Sequence, residues 1–373
     1  MNKKIIRASV RDALTFDAAR NLVASGVQDS RGAVFETPYR THDGRTVDST
    51  GAFLVGELER LDLTLHMPLA AVTWGRDIML REDVTIADDV SSFTVSSFAA
   101  AGGLGGQGIG NGKSFIGRKA NQVPSQSVDI KKEAFPLTPW GEELAYTLFE
   151  LESAAKLGRP IDAQKFEALQ LKWQMDNDEM VYIGDTSLGL GGLVNNALTA
   201  TYGTVSNVAA GVSGSTTWVN KTADEILTDV SDALAAVWAA SAWAVIPNKI
   251  LIPPAQFAYI SAQKVSNAGN VSILKYVKEN NLLTTSQGTQ LDIQPCKWLS
   301  GTTNADVATA LNNGSLDRMF VYTNEKDRVR FPVTLLQRTP VQYDSIFHKS
   351  TYFAKMGAVE WVYPETGGAF DGI

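Results

Sequence analysis

The chain has 373 residues, 44% of them hydrophobic, so it can bury the core of one large domain or two ordinary ones. Its formal charge of −7 argues against a general nucleic-acid binder, because such proteins present a basic surface. A single cysteine, Cys296, excludes an intrachain disulfide and fits a reducing compartment. The sequence contains no apolar run long enough for a membrane span and no signal-peptide core at its start.

The first 77 residues are predicted to form an arm with docking points rather than a domain with its own core. Apolar residues at helical spacing predict short amphipathic helices over 16–27 and 52–65. Four basic residues near the start are more typical of a solvated tail than of a nucleic-acid contact. They are Lys3, Lys4, Arg7 and Arg11.

Residues 78–135 are predicted to form two strands around a glycine-rich tip. Alternation at Val84 and Ile86, at Phe93 and Val95, and on the return at Val128 and Ile130 indicates strand. Seven glycines between positions 102 and 112 make the tip costly to order, so it should be mobile unless a partner holds it. A compact domain rarely carries so long a stretch with so little to bury. The segment is therefore expected to be disordered or to lean on something outside its own domain.

A long helical pattern follows the extended segment. Thr138 and Pro139 are predicted to begin a helix, which Gly158 to Pro160 interrupts and Asp162 restarts. Gly184 and Asp185 are predicted to end it. The first stretch carries an apolar stripe of Trp140, Leu144, Leu148, Leu151 and Ala155, and the second one of Phe166, Leu169, Trp173 and Met180.

A second block begins at Thr222, which has capping-box spacing with Glu225. The pattern then alternates strands and helices, which predicts an α/β or α+β block. Strands are predicted at 249–252, 291–295, 319–322, 329–337 and 352–363, with 319–322 and 329–337 as a hairpin, and helices at 255–262 and 271–279.

The glycine-rich segment contains two patterns similar to phosphate-binding motifs. A Gly-x-Gly-x-x-Gly pattern begins at Gly103, and Gly112-Lys113-Ser114 resembles the end of a P-loop. Both motifs need a helix directly after the glycines, because its N-terminal amides bind the phosphate. Residues 115–124 do not have a helical pattern, and Gln107 stands where the P-loop requires glycine. A flexible loop tip is therefore favoured over nucleotide binding.

No catalytic, metal or cofactor site is predicted. Asp176, Asp178 and Glu179 lack the spacing of a calcium loop, which favours a solvated or salt-bridged helix face. The three histidines are scattered and Cys296 stands alone, so neither a metal centre nor a thiol nucleophile is indicated. Four tryptophans on apolar faces are predicted to lie in the core: Trp140, Trp173, Trp238 and Trp361.

The order of these parts resembles the major capsid proteins of tailed bacteriophages, which have the HK97-type coat fold. Residues 150–162 resemble the start of the family's spine helix, and 177–195, with Gly184-Asp185 and Gly189-Leu-Gly-Gly-Leu-Val-Asn195, resemble its end. Residues 250–257 with 272–280 resemble the family's axial (A) domain. Residues 332–364 resemble its closing strand. The matches are individually loose but occur in the right order.

The resemblance implies an α+β fold with an N-terminal arm, an extended β-hairpin E-loop, a long spine helix, a peripheral (P) domain and an inserted A-domain. The implied boundaries are 1–77 for the arm and docking helices, 78–135 for the E-loop, 136–220 for the P-domain with its spine helix, 221–338 for the A-domain and 339–373 for the closing strand of the P-domain. The E-loop tip would contact a neighbouring subunit through Gly102, Leu104, Gln107, Ile109, Asn111, Lys113 and Phe115. The basic residues of the arm would face inward.

The implied function is self-assembly, as hexamers and pentamers, into the icosahedral shell of a virion made in the bacterial cytoplasm. The implied partners are a separate scaffolding protein, a portal, decoration proteins and weakly contacted DNA, with no membrane and no cofactor. A fused scaffolding domain is not expected. Covalent cross-linking is not predicted either, because no complete Lys–Asn–Glu set can be matched around Lys113, Lys119, Lys131 and Lys132.

Two alternatives remain open from the sequence. An encapsulin-like nanocompartment has the same fold but encloses a protein cargo. A nucleotide-dependent enzyme would use the glycine-rich tip and bind ATP or NAD saturably.

Overall fold

The computed structural model describes residues 70–100, 118, 126–157, 161–185, 187–195, 204–265, 271–311 and 313–373, together with two short strands near the start. The chain divides into two compact units, Met1–Met67 and Pro68–Ile373. In the first unit, β1 (Val27–Gln28) pairs antiparallel with β2 (Val34–Phe35). The predicted helix over 52–65, and that over 16–27 except for Val27, lie outside the described residues.

The strands of the second unit follow in chain order. They are β3 (Met79–Arg81), β4 (Val90–Ala100), β5 (Gln126–Thr147), β6 (Gly184–Asp185), β7 (Leu190–Gly191), β8 (Thr204–Asn207), β9 (Lys249–Ile252), β10 (Asp292–Pro295), β11 (Arg318–Tyr322), β12 (Val329–Pro332), β13 (Gln337–Arg338), β14 (Gln342–Asp344), β15 (Phe347–Gly357), β16 (Glu360–Trp361) and β17 (Gly367–Asp371).

The helices of the described residues surround these strands. They are α1 (Trp74–Asp77), α2 (Leu148–Leu157), α3 (Ile161–Tyr182), α4 (Ala223–Ala240), α5 (Pro254–Ala262), α6 (Ile273–Asn280), α7 (Leu282–Gln287) and α8 (Ala305–Leu311), with 3₁₀ turns at Trp218–Asn220, Lys297–Leu299 and Pro364–Thr366.

A five-stranded sheet in the order β10-β9-β11-β17-β8 forms the centre of the second unit. Every residue of β9, β11 and β17 is buried, as expected for strands covered on both faces. Helix α4 packs its buried residues, among them Ile226 and Leu234, into the same core cluster as Ile250 of β9. The predicted capping box at Thr222 and Glu225 is present at the start of α4 and confirms that prediction.

A second sheet has the order β13-β15-β5-β4, with β14 also paired to β15. Strand β5 serves two partners along its 22 residues. Its first half pairs with β4, from Gln126↔Ala100 to Pro136↔Val90, and its second half pairs with β15, from Leu137↔Gly357 to Thr147↔Phe347. The strands predicted around Phe93 and Val95 and around Val128 and Ile130 are therefore confirmed.

A three-stranded sheet, β16-β12-β3, lies beside the root of β4. Strand β12 pairs parallel with β3 and antiparallel with β16. The predicted hairpin between 319–322 and 329–337 is wrong, because β11 and β12 belong to different sheets. A turn of polar residues between two strands is compatible with a change of sheet as well as with a hairpin.

The predicted helix start at Thr138 is also wrong. Residues 126–147 are one strand, and α2 begins only at Leu148. Pairing with β15 over eleven residues outweighs the local helix signals at Thr138 and Pro139. The helix is capped instead at Thr147, whose hydroxyl accepts from the Glu150 amide at 3.1 Å while the Glu150 carboxylate accepts from the Thr147 amide at 3.2 Å.

Two further strand predictions need correction. Residues around Val84 and Ile86 form turns, in which the Asp88 carboxylate accepts from the amide and the hydroxyl of Thr85, both at 2.8 Å. The predicted strand over 352–363 breaks after Gly357, since β16 pairs in another sheet. Strand β17 follows it and was not predicted.

Helix α3 buries Leu169, Trp173 and Met180 on one side, as predicted. It ends at Tyr182, and Gly184 then adopts a φ of 76°. A Cβ at Gly184 would overlap the Leu190 carbonyl oxygen of the β6–β7 ribbon. Both the positive φ and this close approach therefore require glycine. The predicted helix end at Gly184 is confirmed.

Candidate functional site

The residues predicted for inter-subunit contact lie outside the described residues, and so do the four basic residues near the start. This set comprises Gly102, Leu104, Gln107, Ile109, Asn111, Lys113 and Phe115 of the tip and Lys3, Lys4, Arg7 and Arg11 of the arm. Their roles stay predictions. The described residues nevertheless present two surfaces suited to contact with another chain.

The first surface lies on the hairpin formed by β4 and the first half of β5. Val128 is 61% exposed and Ile130 is 68% exposed. The two side chains are two residues apart in one strand and therefore point to the same face. We call Val128 and Ile130 the hairpin row. An apolar pair on a two-stranded hairpin has little of its own chain to pack against, so it is suited to an external partner.

The second surface lies at the opposite end of β5, where it meets α2 and β15. Thr147 pairs with Phe347, and the Leu148 amide donates to the Ile346 carbonyl at 3.0 Å. The Tyr343 ring lies edge-on to His348, with ring centres 4.7 Å apart. These contacts bring five exposed large side chains to one end of the sheet, which we call the sheet-end patch: Leu148, Phe149, Tyr343, Ile346 and Phe347.

The sequence prediction had placed Leu148 and Ala155 on a buried helix stripe, and both are exposed. Ala154 is buried instead. The stripe is displaced because α2 begins ten residues after the predicted start. The Thr147-x-x-Glu150 spacing, the same as at Thr222, is the signal that would have located the helix and left Phe149 on its outer side.

A buried polar cluster joins the root of the hairpin to the three-stranded sheet. Glu360 of β16 is fully buried and accepts from Arg81 at 3.1 Å, from Arg330 at 2.7 Å and from the Ser91 hydroxyl. Arg81 also donates to Asp83 at 2.9 Å, and these hydrogen bonds lower the pKa of Asp83. We call Arg81, Ser91, Arg330 and Glu360 the root cluster.

Two of the three acidic residues late in α3, Asp176 and Asp178, bind groups from other parts of the fold. Asp178 is fully buried and accepts from Thr73 at 2.8 Å, from Trp298 at 2.7 Å and from Lys297 at 2.9 Å. The sequence predicted that this helix face is either solvated or salt-bridged. For Asp178, the salt bridge is confirmed and exposure to solvent is wrong. No three His, Cys, Asp or Glu side chains among the described residues are grouped as a metal site requires.

Cys296 is buried, and burial raises the pKa of its thiol. A thiol held protonated in the core is a poor nucleophile. Trp173 and Trp361 are buried as predicted, and Trp140 and Trp238 are half-buried.

A cleft of about 500 Å³ opens between α3, α8 and β15. Asp176 on its wall already binds Lys172 at 2.5 Å and the Trp140 indole at 2.9 Å. The cleft therefore presents an occupied carboxylate beside apolar side chains such as Met180 and Met356.

Comparison with known proteins identifies the family. Residues 112–373 match the family model described as the major capsid protein. The chain belongs to the major capsid protein family. It is a structural protein of a capsid shell, and members of this family are shell components rather than enzymes. No curated protein matches the sequence.

Solved capsid structures share the fold of this major capsid protein. The capsid of Myoviridae phage XM1 aligns at 16% identity with a TM-score of 0.65, over 85% of this chain and 98% of that one. The capsid of a native GTA particle aligns at 11% identity with a TM-score of 0.55, over 88% of this chain and 98% of that one. A structure of Gordonia phage Cozz aligns at 12% identity with a TM-score of 0.52, over 91% of this chain and 98% of that one. The mixed α/β fold is thus of the HK97-like type, as predicted.

Virion proteins of this kind act in oligomeric shells, so surfaces for other copies are expected on the described unit. Every helix that the structure describes is too short or too polar to cross a bilayer.

Proposed function

We propose that this major capsid protein assembles, as hexamers and pentamers, into the icosahedral shell that encloses the double-stranded DNA of a tailed phage. The observation that carries the proposal is the hairpin row of Val128 and Ile130. Fully burying an aliphatic side chain of this size stabilises a contact by about 1.5–3 kcal/mol. Contact with a neighbouring copy would remove both side chains from water.

Two surfaces at opposite ends of one strand suit a chain that contacts different neighbours. The hairpin row and Thr147, next to the sheet-end patch, are separated by roughly 55–65 Å along β5, at about 3.3 Å per residue. A chain with two separate contact surfaces can make heterologous contacts, which close into rings of identical subunits. We therefore propose that a second copy covers each surface in the shell.

The finer parts follow the family layout as proposals. We assign 1–77 to the arm, 78–135 to the E-loop, 136–220 to the P-domain with its spine helix, 221–338 to the A-domain and 339–373 to the closing segment. Under this assignment the closing segment contributes β15 to the sheet of β5 and β17 to the sheet of β9. The E-loop tip, from Gly102 to Phe115, would contact a neighbouring subunit, and the basic arm would face inward.

The remaining partners and the place of synthesis are also proposals. They are a separate scaffolding protein, a portal, decoration proteins and weakly contacted DNA, with synthesis in the bacterial cytoplasm. The net charge of −7 supports weak rather than tight contact with the packaged genome.

Charge substitution of the hairpin row tests the central proposal. Negative-stain electron microscopy of the wild-type chain should show closed shells, rings or tubes. The double substitution Val128→Lys and Ile130→Lys should keep the wild-type melting temperature but abolish these assemblies, because two ammonium groups cannot be buried in an apolar contact without a large cost.

The matched control is Asp129→Lys, which makes the same change of two charge units on the opposite face of the same strand. This variant should assemble as the wild type does. A strictly monomeric wild type, or normal shells from the double variant, would contradict the proposal. Shells that enclose protein cargo in place of DNA would favour the encapsulin-like alternative.

A further inference from the structure

The root cluster connects the hairpin to the rest of the molecule through one carboxylate. Glu360 receives hydrogen bonds from Arg81 of β3, Arg330 of β12 and Ser91 of β4. Three partners from three strands therefore converge on a fully buried side chain. Charge-assisted hydrogen bonds to a buried carboxylate are short and directional, so they define the relative orientation of the strands they join.

Ser91 is the member of the cluster that belongs to the hairpin. Its hydroxyl donates to Glu360 and accepts from Arg81 at 2.9 Å, while Arg81 also donates to the Ser92 carbonyl at 3.1 Å. Ser91 is buried. The second and third residues of β4, Ser91 and Ser92, are thus joined to β3 and β16 by hydrogen bonds of side chains rather than by strand pairing.

An aromatic contact supports the same junction from a second side. The Arg330 guanidinium lies 5.8 Å from the centre of the Phe93 ring, and Phe93 stacks on Phe135 with ring centres 6.0 Å apart. Phe93 and Phe135 lie on the two strands of the hairpin. Arg330 therefore contacts both the buried carboxylate and the aromatic pair, which links the position of Glu360 to both strands.

A small rotation of the hairpin at this junction would displace the hairpin row by a larger distance. Ser91 pairs with Phe135, and the hairpin row begins at Val128, roughly 23 Å further along β5 at about 3.3 Å per residue. A rotation of about 10° at the root would move Val128 by roughly 4 Å over that length. Such a displacement exceeds the tolerance of a packed apolar contact, since dispersion attraction falls off within about 1 Å.

We propose that Glu360 is a positioning residue for assembly: it fixes the direction of the hairpin relative to the adjacent three-stranded sheet and so determines where the hairpin row meets another copy. The link to assembly rests on the proposed function. The direction of the hairpin itself does not, and it can be measured in the unassembled chain.

Distances between two spin labels test the hairpin direction. Labels at Ile130→Cys and Lys326→Cys report the hairpin relative to the turn before β12, and the native Cys296 is buried and should not react. Ile130→Cys also alters the hairpin row, which favours the unassembled form that the measurement needs. The parent should give a narrow distance distribution. Adding Ser91→Ala should at least double its width, and Glu360→Gln should widen it further.

Ser96→Ala is the matched control, because Ser96 is exposed on the same strand. It should leave the distance distribution unchanged. Ser91→Ala keeps both arginine–carboxylate pairs, so it remains informative if Glu360→Gln fails to fold by circular dichroism. In the chain without labels, Ser91→Ala should lower the yield of regular shells at least threefold without lowering the melting temperature as much as Glu360→Gln.

Parent-like distance distributions in the folded Ser91→Ala and Glu360→Gln variants would overturn the inference. The distance measurement does not depend on the outcome of the double substitution Val128→Lys and Ile130→Lys, so the two proposals can fail separately. If the row variant assembles normally while Ser91→Ala widens the distribution, the proposed contact fails but the positioning role stands.

Discussion

The two halves of β5 have the same backbone conformation and opposite environments. Among the described strands, the first half pairs only with β4, and it exposes Val128 and Ile130. The second half pairs with β15 and packs against α3. In the second half, the Trp140 ring lies 4.8 Å from the Trp173 ring, and its indole donates to Asp176. Apolar side chains in the second half therefore stabilise the single chain. In the first half, Val128 and Ile130 are available to stabilise an assembly, whereas Phe135 near the root packs within the chain.

Truncating a residue of α3 that packs against the second half, and a residue of the first half itself, should separate these two roles most clearly. Trp173→Ala should lower the free energy of unfolding by about 3–5 kcal/mol, because it leaves a cavity in the core against which β5 packs. Ile130→Ala should change it by less than about 0.5 kcal/mol, since the side chain is exposed. Urea unfolding of the unassembled chain measures both. Equal losses would remove the distinction between the halves.

A smaller effect is expected for one of the hydrogen bonds between the second half and α3. Trp140→Phe removes the indole donor to Asp176 at 2.9 Å while keeping an aromatic ring next to Trp173. The expected loss is about 1.5–3 kcal/mol, as for hydrogen bonds to charged groups. Trp243→Phe, at an exposed position, serves as the control and should be neutral in the same urea measurement. A neutral Trp140→Phe would mean that Lys172 alone satisfies Asp176.

The end of β5 can be tested at its helix cap. Thr147→Ala removes the hydroxyl that accepts from the Glu150 amide, and should cost about 1 kcal/mol. Hydrogen exchange of the first amides of α2 should become faster. Thr138→Ala, at the predicted but incorrect helix start, should leave that exchange unchanged. Faster exchange in both variants would contradict the assigned start of α2.

Acidification should give the smallest of these effects. Amide hydrogen bonds from Thr85 and Thr147 lower the pKa values of Asp88 and Glu150 below their ordinary values of 3.8 and 4.5. The unfolded chain then binds more protons, so this stability is complete above the ordinary values and is lost as the pH falls through the folded ones. The urea concentration at the unfolding midpoint should therefore decrease when the pH is lowered below about 4.

Glu150→Gln keeps an oxygen that can accept from Thr147 but does not titrate. Its urea midpoint should fall less steeply with pH than that of the wild type. A steeper fall would indicate that Glu150 is protonated more easily in the folded chain than in the unfolded one.

The sequence predicted best the features that depend on neighbouring residues. The cap at Thr222, the strand at 249–252 and the helix end at Gly184 each follow from a few adjacent positions. The start at Thr138 failed for a geometric reason. Trp140 and Leu144 are four residues apart, and that spacing places side chains on one side of a strand as well as of a helix. Only the pairing with β15 decides between them.

The candidate surfaces could be predicted less well than the fold. The family resemblance predicted that the hairpin is a contact element, and that role stays a prediction. The sheet-end patch combines residues of α2 and β15 that no local pattern connects. Ser91 and Glu360 are even further apart in the chain, and a lone serine and a lone glutamate carry no signal. Such clusters depend on the long-range register of several strands, which single-sequence patterns do not contain.

The position of β17 bears on when a subunit becomes ready to assemble. This strand lies between β11 and β8 in the central sheet, and among the described strands β8 pairs with β17 alone. One edge of β11, and β8 itself, therefore have no strand partner in this sheet until β17 is synthesised, long after β8. Pairings between distant segments form slowly. A subunit therefore cannot complete its central sheet before β17 has been synthesised, and the same holds for the root cluster, which needs Glu360.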